Sequence, residues 1–175
     1  MKLAWGAKVS AAFRAPAIQI AEALGVDPSD LMACIAWETG ETFRPDVRNA
    51  AGSGAVGLIQ FMPSTAAALG TTTSLLASMS AEEQLGYVLR YFKPWVGRLK
   101  NLGDVYGAIL WPGMIGRSDA YVLFDKADRD RPKLYIQNAG LDFNKDGKIT
   151  RAEVIAKVLA KRSKGLMAGC VWEGP

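Results

Sequence analysis

The stretch from Ala33 to Leu69 constrains this chain most, because it joins an apolar helix to a glycine-spaced loop and then to a second helix. Ala33-Cys-Ile-Ala-Trp-Glu38 is apolar up to its last residue, a single carboxylate at the far end of the helix. Gly40 then stops the helix, since glycine accepts the left-handed turn that closes a last helical turn. Gly52, Gly54 and Gly57 space the following loop, where backbone without side chains can approach a ligand closely. Gln60 and Phe61 lead out of it, and Pro63-Ser64-Thr65 opens the next helix. An acid on a rigid helix, facing an amide-bearing glycine loop, is a way to build a cleft for a sugar polymer.

The remaining punctuation reads as helical almost throughout. Asp27-Pro28-Ser29-Asp30 is a start signal, with Asp27 as N-cap and Pro28 at the first helical position. It launches the helix that runs through Leu31, Cys34 and Ile35 to Glu38. Before it, Ser10–Phe13 and Ala17–Leu24 carry apolar residues at helical spacing and end at Gly25. Pro63 opens a helix that ends near Gly70. Ser80-Ala-Glu-Glu83 is a capping box that starts a helix reaching about Phe92, so Glu82 and Glu83 read as cap and dipole partners rather than catalytic acids. Asp104 is expected to cap a short apolar helix that Pro112-Gly113 ends. Gly116 to Arg131, dense in turn formers and in Asp125, Asp128 and Asp130, is expected to be an exposed connection. Nothing alternates long enough for a large sheet. The fold class is therefore mainly α.

A chain of 175 residues, half of them apolar, can bury one good core. We expect a single domain over 1–175, with 132–165 as a small C-terminal lobe. No apolar run reaches the ~20 residues of a membrane span, and Lys8 interrupts the start before an export signal could form. Lys157, Lys161, Arg162 and Lys164 cluster within a net charge of +4. They read either as a solvated helix face or as attraction to an anionic envelope. Histidine is absent, which removes Ser-His and Cys-His nucleophilic pairs and the usual His-bearing zinc sites. The two thiols, Cys34 and Cys170, lie far apart; Cys34 reads as a small buried hydrophobe, and the pattern leaves their pairing open.

Glu38 followed by a hydroxyl residue, Phe43-x-Pro45, Asn49, Gly54-Ala55-x-Gly57-Leu58-Ile59-Gln60 and Pro63-x-Thr65-Ala66 together resemble the soluble lytic transglycosylase family. The resemblance covers roughly the first two thirds of the chain. It implies a lysozyme-like helical domain of goose type that cleaves the MurNAc-GlcNAc β-1,4 bond of peptidoglycan and forms 1,6-anhydro-MurNAc. Two features depart from the pattern. Thr39 stands where the family usually has Ser, and the later Ala-Tyr-Asn-x-Gly segment has only Ala108-Ile-Leu-Trp-Pro-Gly113 as its nearest counterpart. The compact form, a calcium-type loop and the missing signal are most similar to bacteriophage wall-degrading proteins. That implies an endolysin made in the host cytoplasm and acting on periplasmic peptidoglycan, or a virion-associated enzyme. The expected partner is the glycan strand, with no nucleic acid and no stable membrane insertion, and the expected state is a monomer.

Glu38 sits among Cys34, Ile35, Trp37 and Phe43, and such surroundings disfavour the charged carboxylate and suit a general acid. Ordinary glycoside hydrolases pair two carboxylates roughly 5–9 Å apart. Neither Glu41, beyond Gly40, nor Asp46, in a turn after Pro45, is convincingly aimed at the cleft. A single acid favours transglycosylation, in which the sugar supplies its own nucleophile. Two alternatives stand beside this: a hydrolytic muramidase, and a non-catalytic calcium-stabilised tail or wall-binding module. For substrate contacts we expect the Gln60 amide on an N-acetyl group, with Asn49, Gly57 and Phe61 from the loop; Tyr135 and Gln137 replace the missing Tyr-Asn groups. Trp37, Trp95 and Trp111 are read as core or as sugar-stacking rings.

Asp142-Phe-Asn144-Lys-Asp146-Gly147-Lys148-Ile149-Thr150-Arg-Ala-Glu153 fits the EF-hand loop, with oxygen ligands at positions 1, 3 and 5, Gly at 6, an apolar residue at 8 and Glu at 12. The Lys148 carbonyl serves position 7 and Thr150 position 9. The bland reading is an Asp-Gly turn before a helix. We expect a structural Ca2+ here and no cofactor for catalysis.

Overall fold

The computed structural model describes residues 1–50 and 52–174. Eight α-helices are found among them: α1 (Ala11–Leu24), α2 (Pro28–Glu38), α3 (Pro63–Ala68), α4 (Thr73–Ser78), α5 (Ala81–Phe92), α6 (Leu102–Leu110), α7 (Pro132–Asn138) and α8 (Arg151–Gly165). Four short strands form two antiparallel ribbons. β1 (Lys2–Leu3) pairs with β4 (Trp172–Glu173), and β2 (Val122–Asp125) pairs with β3 (Lys148–Thr150). The mainly helical, lysozyme-like class expected from the sequence is what the chain forms.

Helix α2 is the axis of the molecule. The Asp27 carboxylate accepts from the Ser29 amide at 2.8 Å, Pro28 occupies the first turn, and every residue from Ser29 to Ala36 is buried. A helix apolar on all sides has to be surrounded, and α8, α1 and α6 surround it. Removing a side chain there, for instance Ile35→Ala, would cost about 2–5 kcal/mol in lost transfer energy and cavity.

Helix α8 is the chief partner of α2. Val154 and Val158 belong to the same core as Leu31 and Ile35, so the C-terminal segment packs into that core rather than standing apart. Its polar side is also committed. Lys161 and Lys164 both hold Glu41, and Arg162 holds Asp27 and Asp30, which corrects the expectation of a merely solvated basic face.

Two further local expectations are corrected. Asn101 caps α6, accepting from the Asp104 amide at 3.1 Å. Asp104 is buried and pairs with Arg151 at 3.1 Å while also accepting from the Lys100 and Gly116 amides. A carboxylate with that many donors serves the interior, not a helix end. Within the supposed exposed connection, β2 buries Leu123 and Phe124, and Trp111 meets Phe124 edge-on at 5.3 Å.

Candidate active site

The chain leaves α2 through a run of left-handed residues: Gly40 (φ 58), Glu41 (φ 70) and Phe43 (φ 54). For Glu41 and Phe43 each such turn costs about 1–2 kcal/mol. The two lysines of α8 on Glu41, and the burial of Phe43 edge-on to Phe13, hold them there. The Thr39 hydroxyl donates to the Ile35 carbonyl at 2.7 Å and accepts from the Phe43 amide at 3.1 Å. The hydroxyl after the acid is therefore a backbone clamp, a role open to Ser or Thr.

The glycine loop folds tightly on itself. Val56 and Phe61 exchange backbone hydrogen bonds, and the Gly57 amide donates to the Val47 carbonyl at 2.9 Å. Gly57 (φ +85) lies against the Gln84 carboxamide, where a Cβ would collide. Buried Gln84 in turn accepts from the Leu58 amide at 2.7 Å and donates to the Pro45 and Leu76 carbonyls. Gln60 directs its amide NH2 at the Val47 and Gly57 carbonyls, at 3.0 and 3.1 Å. Three substrate expectations are thereby corrected: Gln60 holds the loop, Gly57 gives room to Gln84, and Phe61 is 2% exposed core against Tyr91.

A cleft of about 390 Å³ opens at the end of α2. Trp37 and Glu38 form one part of its wall, Tyr106 and Leu110 of α6 another, with Asn49 at the glycine loop. The opposite side comes from Gln137 and Asn138 of α7, the turn at Gly140 and Leu141, and Lys157 of α8. Of the residues named from the sequence, the structure brings Glu38, Trp37, Asn49 and Gln137 together here. Tyr135 is not among them, because its hydroxyl donates to the Asp142 carboxylate at 2.6 Å. Tyr106, Leu110 and Asn138 went unread. A tyrosine hydroxyl at the cleft is supplied instead by Tyr106, just ahead of the Ala108–Gly113 segment.

Glu38 is the one carboxylate among the described residues that line this cleft. Burial pushes its carboxyl up to about 7, and the Tyr106 hydroxyl, hydrogen-bonded to it, pulls the other way. The Trp37 indole N–H donates to that same hydroxyl oxygen at 2.8 Å. An indole nitrogen can only donate, so the Tyr106 proton is left free to point at Glu38. The other acids named from the sequence are engaged: Glu41 by its two lysines, and Asp46 by Arg44 at 2.6 Å. A second hollow lies between α1 and α5, but Glu83 there caps α5 and Glu82 accepts from Ser10.

Residues 15–85 match the family model of the transglycosylase SLT domain. Over that stretch the chain is similar to the lytic transglycosylase family. The match spans about two fifths of the sequence, from within α1 into α5, and includes Glu38, Asn49 and the glycine loop. It carries a peptidoglycan-degrading, lytic-transglycosylase-type function. The far wall of the cleft, from Tyr106 to Lys157, lies beyond the matched residues. No curated protein matches the chain. No helix among the described residues is long and apolar enough to cross a membrane.

The acidic loop at 142–153 is held by turns of its own. The Asp142 Oδ2 accepts from Tyr135 and from the Gly147 amide, Asn144 accepts from the Asp146 amide, and Asp146 from the Lys148 amide. Glu153 forms a capping box with Thr150. The Asp142 Oδ1 is buried without a hydrogen-bond partner. Among the described residues no group of three His, Cys, Asp or Glu side chains converges well enough to hold a metal ion as placed.

Proposed function

We propose that the protein cleaves the MurNAc-GlcNAc β-1,4 bond as a lytic transglycosylase with Glu38 as its acid and base. The observation that carries this reading is that Glu38 is the one carboxylate lining the cleft among the described residues. With its carboxyl raised to about 7, a substantial share of Glu38 carries a proton at neutral pH and gives it to the departing glycosidic oxygen. The carboxylate so formed takes the proton of the sugar's own 6-hydroxyl as that oxygen bonds to the anomeric carbon. The ring closes and Glu38 regains its proton, so no water and no second acid are consumed. Tyr106, donating to Glu38, stabilises the carboxylate between the two transfers. Mass spectrometry of digested sacculi tests this: 1,6-anhydro ends are expected, and reducing MurNAc ends would make the enzyme a muramidase.

We also read the protein as a bacteriophage lysis or cell-entry enzyme, supported by the resemblance of its compact form and calcium-type loop to phage wall-degrading proteins.

The acidic loop is proposed to hold one structural Ca2+ through Asp142, Asn144, Asp146, the Lys148 carbonyl, Thr150 and Glu153. The buried, unpartnered Asp142 oxygen fits a cation, since such an atom otherwise costs about 1–3 kcal/mol or more. Glu153 would exchange its helix-capping role for the ion. Calcium would neutralise the loop's carboxylates and takes no part in the proton transfers. Calorimetric titration of the chelated protein with Ca2+ tests it, and absence of binding would refute it.

A further inference from the structure

Helix α8 carries five basic residues, and four are neutralised by carboxylates. Arg151 holds Asp104 and Asp119, Lys161 and Lys164 share Glu41, and Arg162 holds Asp27 and Asp30. Lys157 is the exception. Among the described residues no carboxylate pairs with it, and its ammonium lies 4.4 Å from the centre of the Phe143 ring. It is half-buried, it lines the same cleft as Glu38, and Phe143 beside it is 45% exposed.

A cation partly withdrawn from water, in a cleft whose one carboxyl is pushed toward its neutral form, has lost hydration without gaining a counter-charge. An anionic group on the ligand would supply one, and a charge-assisted hydrogen bond formed there outweighs a neutral one. The sugar rings of an N-acetylated glycan are neutral. Peptidoglycan differs from chitin in the carboxylates it carries on muramic acid, either in the attached peptide or, once the peptide is removed, on the lactyl ether itself.

We propose that Lys157, with the Phe143 ring beside it, binds the carboxylate-bearing substituent of the glycan strand and so makes the cleft select muramic-acid polymers over neutral N-acetylglucosamine polymers. The ring offers the apolar part of that substituent a surface while the ammonium takes its charge. This inference rests on reading the cleft as the peptidoglycan site.

Binding measured on the Glu38→Gln protein, which leaves strands intact, tests it. The probes are a peptide-bearing muramyl tetrasaccharide, the same tetrasaccharide stripped of peptide, and chitotetraose. Adding Lys157→Gln is expected to weaken binding of a carboxylate-bearing strand ~10-fold relative to chitotetraose, and Lys157→Arg to recover most of the loss. A loss confined to the peptide-bearing strand assigns the carboxylate to the peptide; a loss on the stripped strand as well assigns it to the lactyl group. Either result supports the proposal. Equal losses on all three probes, or none, would overturn it, as would equal affinity of the parent for all three. These outcomes are independent of whether the wild-type protein yields 1,6-anhydro ends, so the selectivity claim can fail while the transglycosylase reading stands.

Discussion

Of the carboxyl groups held away from water, those of Glu38 and Asp142 are driven in opposite directions. Glu38 at the cleft is pushed up to about 7 by burial, with one tyrosine hydroxyl to favour its charge. Asp142 in the acidic loop is 1% exposed, yet the Tyr135 hydroxyl and then the Gly147 amide hold its carboxyl below the usual range. Burial alone therefore does not decide the state of a carboxyl; the donors aimed at it do. The cleft keeps a proton available, whereas the loop keeps a negative charge that a cation can use.

The largest expected effect separates the two sites directly. Glu38→Gln should lower wall cleavage ~10²–10⁴-fold with an unchanged circular dichroism spectrum. Asp142→Asn should change kcat by much less, about tenfold at most. Similar losses from both in a sacculus-clearing assay would erase the division of labour.

A third buried carboxylate sharpens the contrast, because Asp104 has a full partner in Arg151. Arg151→Met should destabilise the fold by about 3–5 kcal/mol in denaturant titrations, since it leaves that charge uncompensated. A loss below 1 kcal/mol would show that Asp104 is satisfied by its backbone donors alone.

Calcium in hundredfold excess over its dissociation constant should add ~2.7 kcal/mol. EDTA should lower Tm, Mg2+ should restore it less well than Ca2+, and Asp142→Ala combined with Glu153→Ala should abolish the response. Glu38→Gln should respond like the wild type. A melting curve indifferent to EDTA and calcium would reduce the loop to a turn before α8.

The pH dependence should run opposite ways at the two sites. Glu38 shifts from an ordinary value of 4.5 to about 7, so the folded state keeps a proton that the unfolded chain has released. Its contribution is therefore present in acid and lost as pH rises through about 7, together with activity that needs the protonated acid. Glu38→Gln should gain ~1–2 kcal/mol over the wild type at pH 8 relative to pH 4, a figure discounted for the partial exposure of the group. Asp142, lowered, should contribute in the neutral range and lose that contribution on acidification. Parallel stability–pH curves for the wild type and the Glu38 variant would contradict the assignment.

The smallest effect concerns the glycine loop. Gln60→Ala removes two hydrogen bonds to loop carbonyls and should cost about 1–2 kcal/mol, with activity falling in step with Tm. A loss of activity at constant Tm would return Gln60 to the substrate.

What was legible in the sequence was decided within four residues. Asp27 and Pro28 start α2, and Ser80 with Glu83 starts α5, because a cap is a contract between near neighbours. Asp104 showed the limit of that reading. It resembles a cap locally, but its partner lies 47 positions away. Tyr106 was missed for the same reason, since nothing near it in sequence points to Glu38. The glycine loop was recognised by pattern, while the jobs within it were misassigned: Gln60 and Gly57 serve contacts with Val47 and Gln84 that only the folded chain brings together.

Cys34 sits on α2 one turn before Glu38, wholly buried, with its thiol raised well above the ordinary value chiefly by burial. Cys170 is free as well and partly exposed. The molecule thus contains its own clock for the opening of its central helix. An alkylating reagent can take Cys170 from the native state, but it reaches Cys34 only when α2 leaves the core. The labelling rate of that one sulfur then reports how often the acid's supporting helix comes undone, a quantity a sacculus-clearing assay would register only as lost activity.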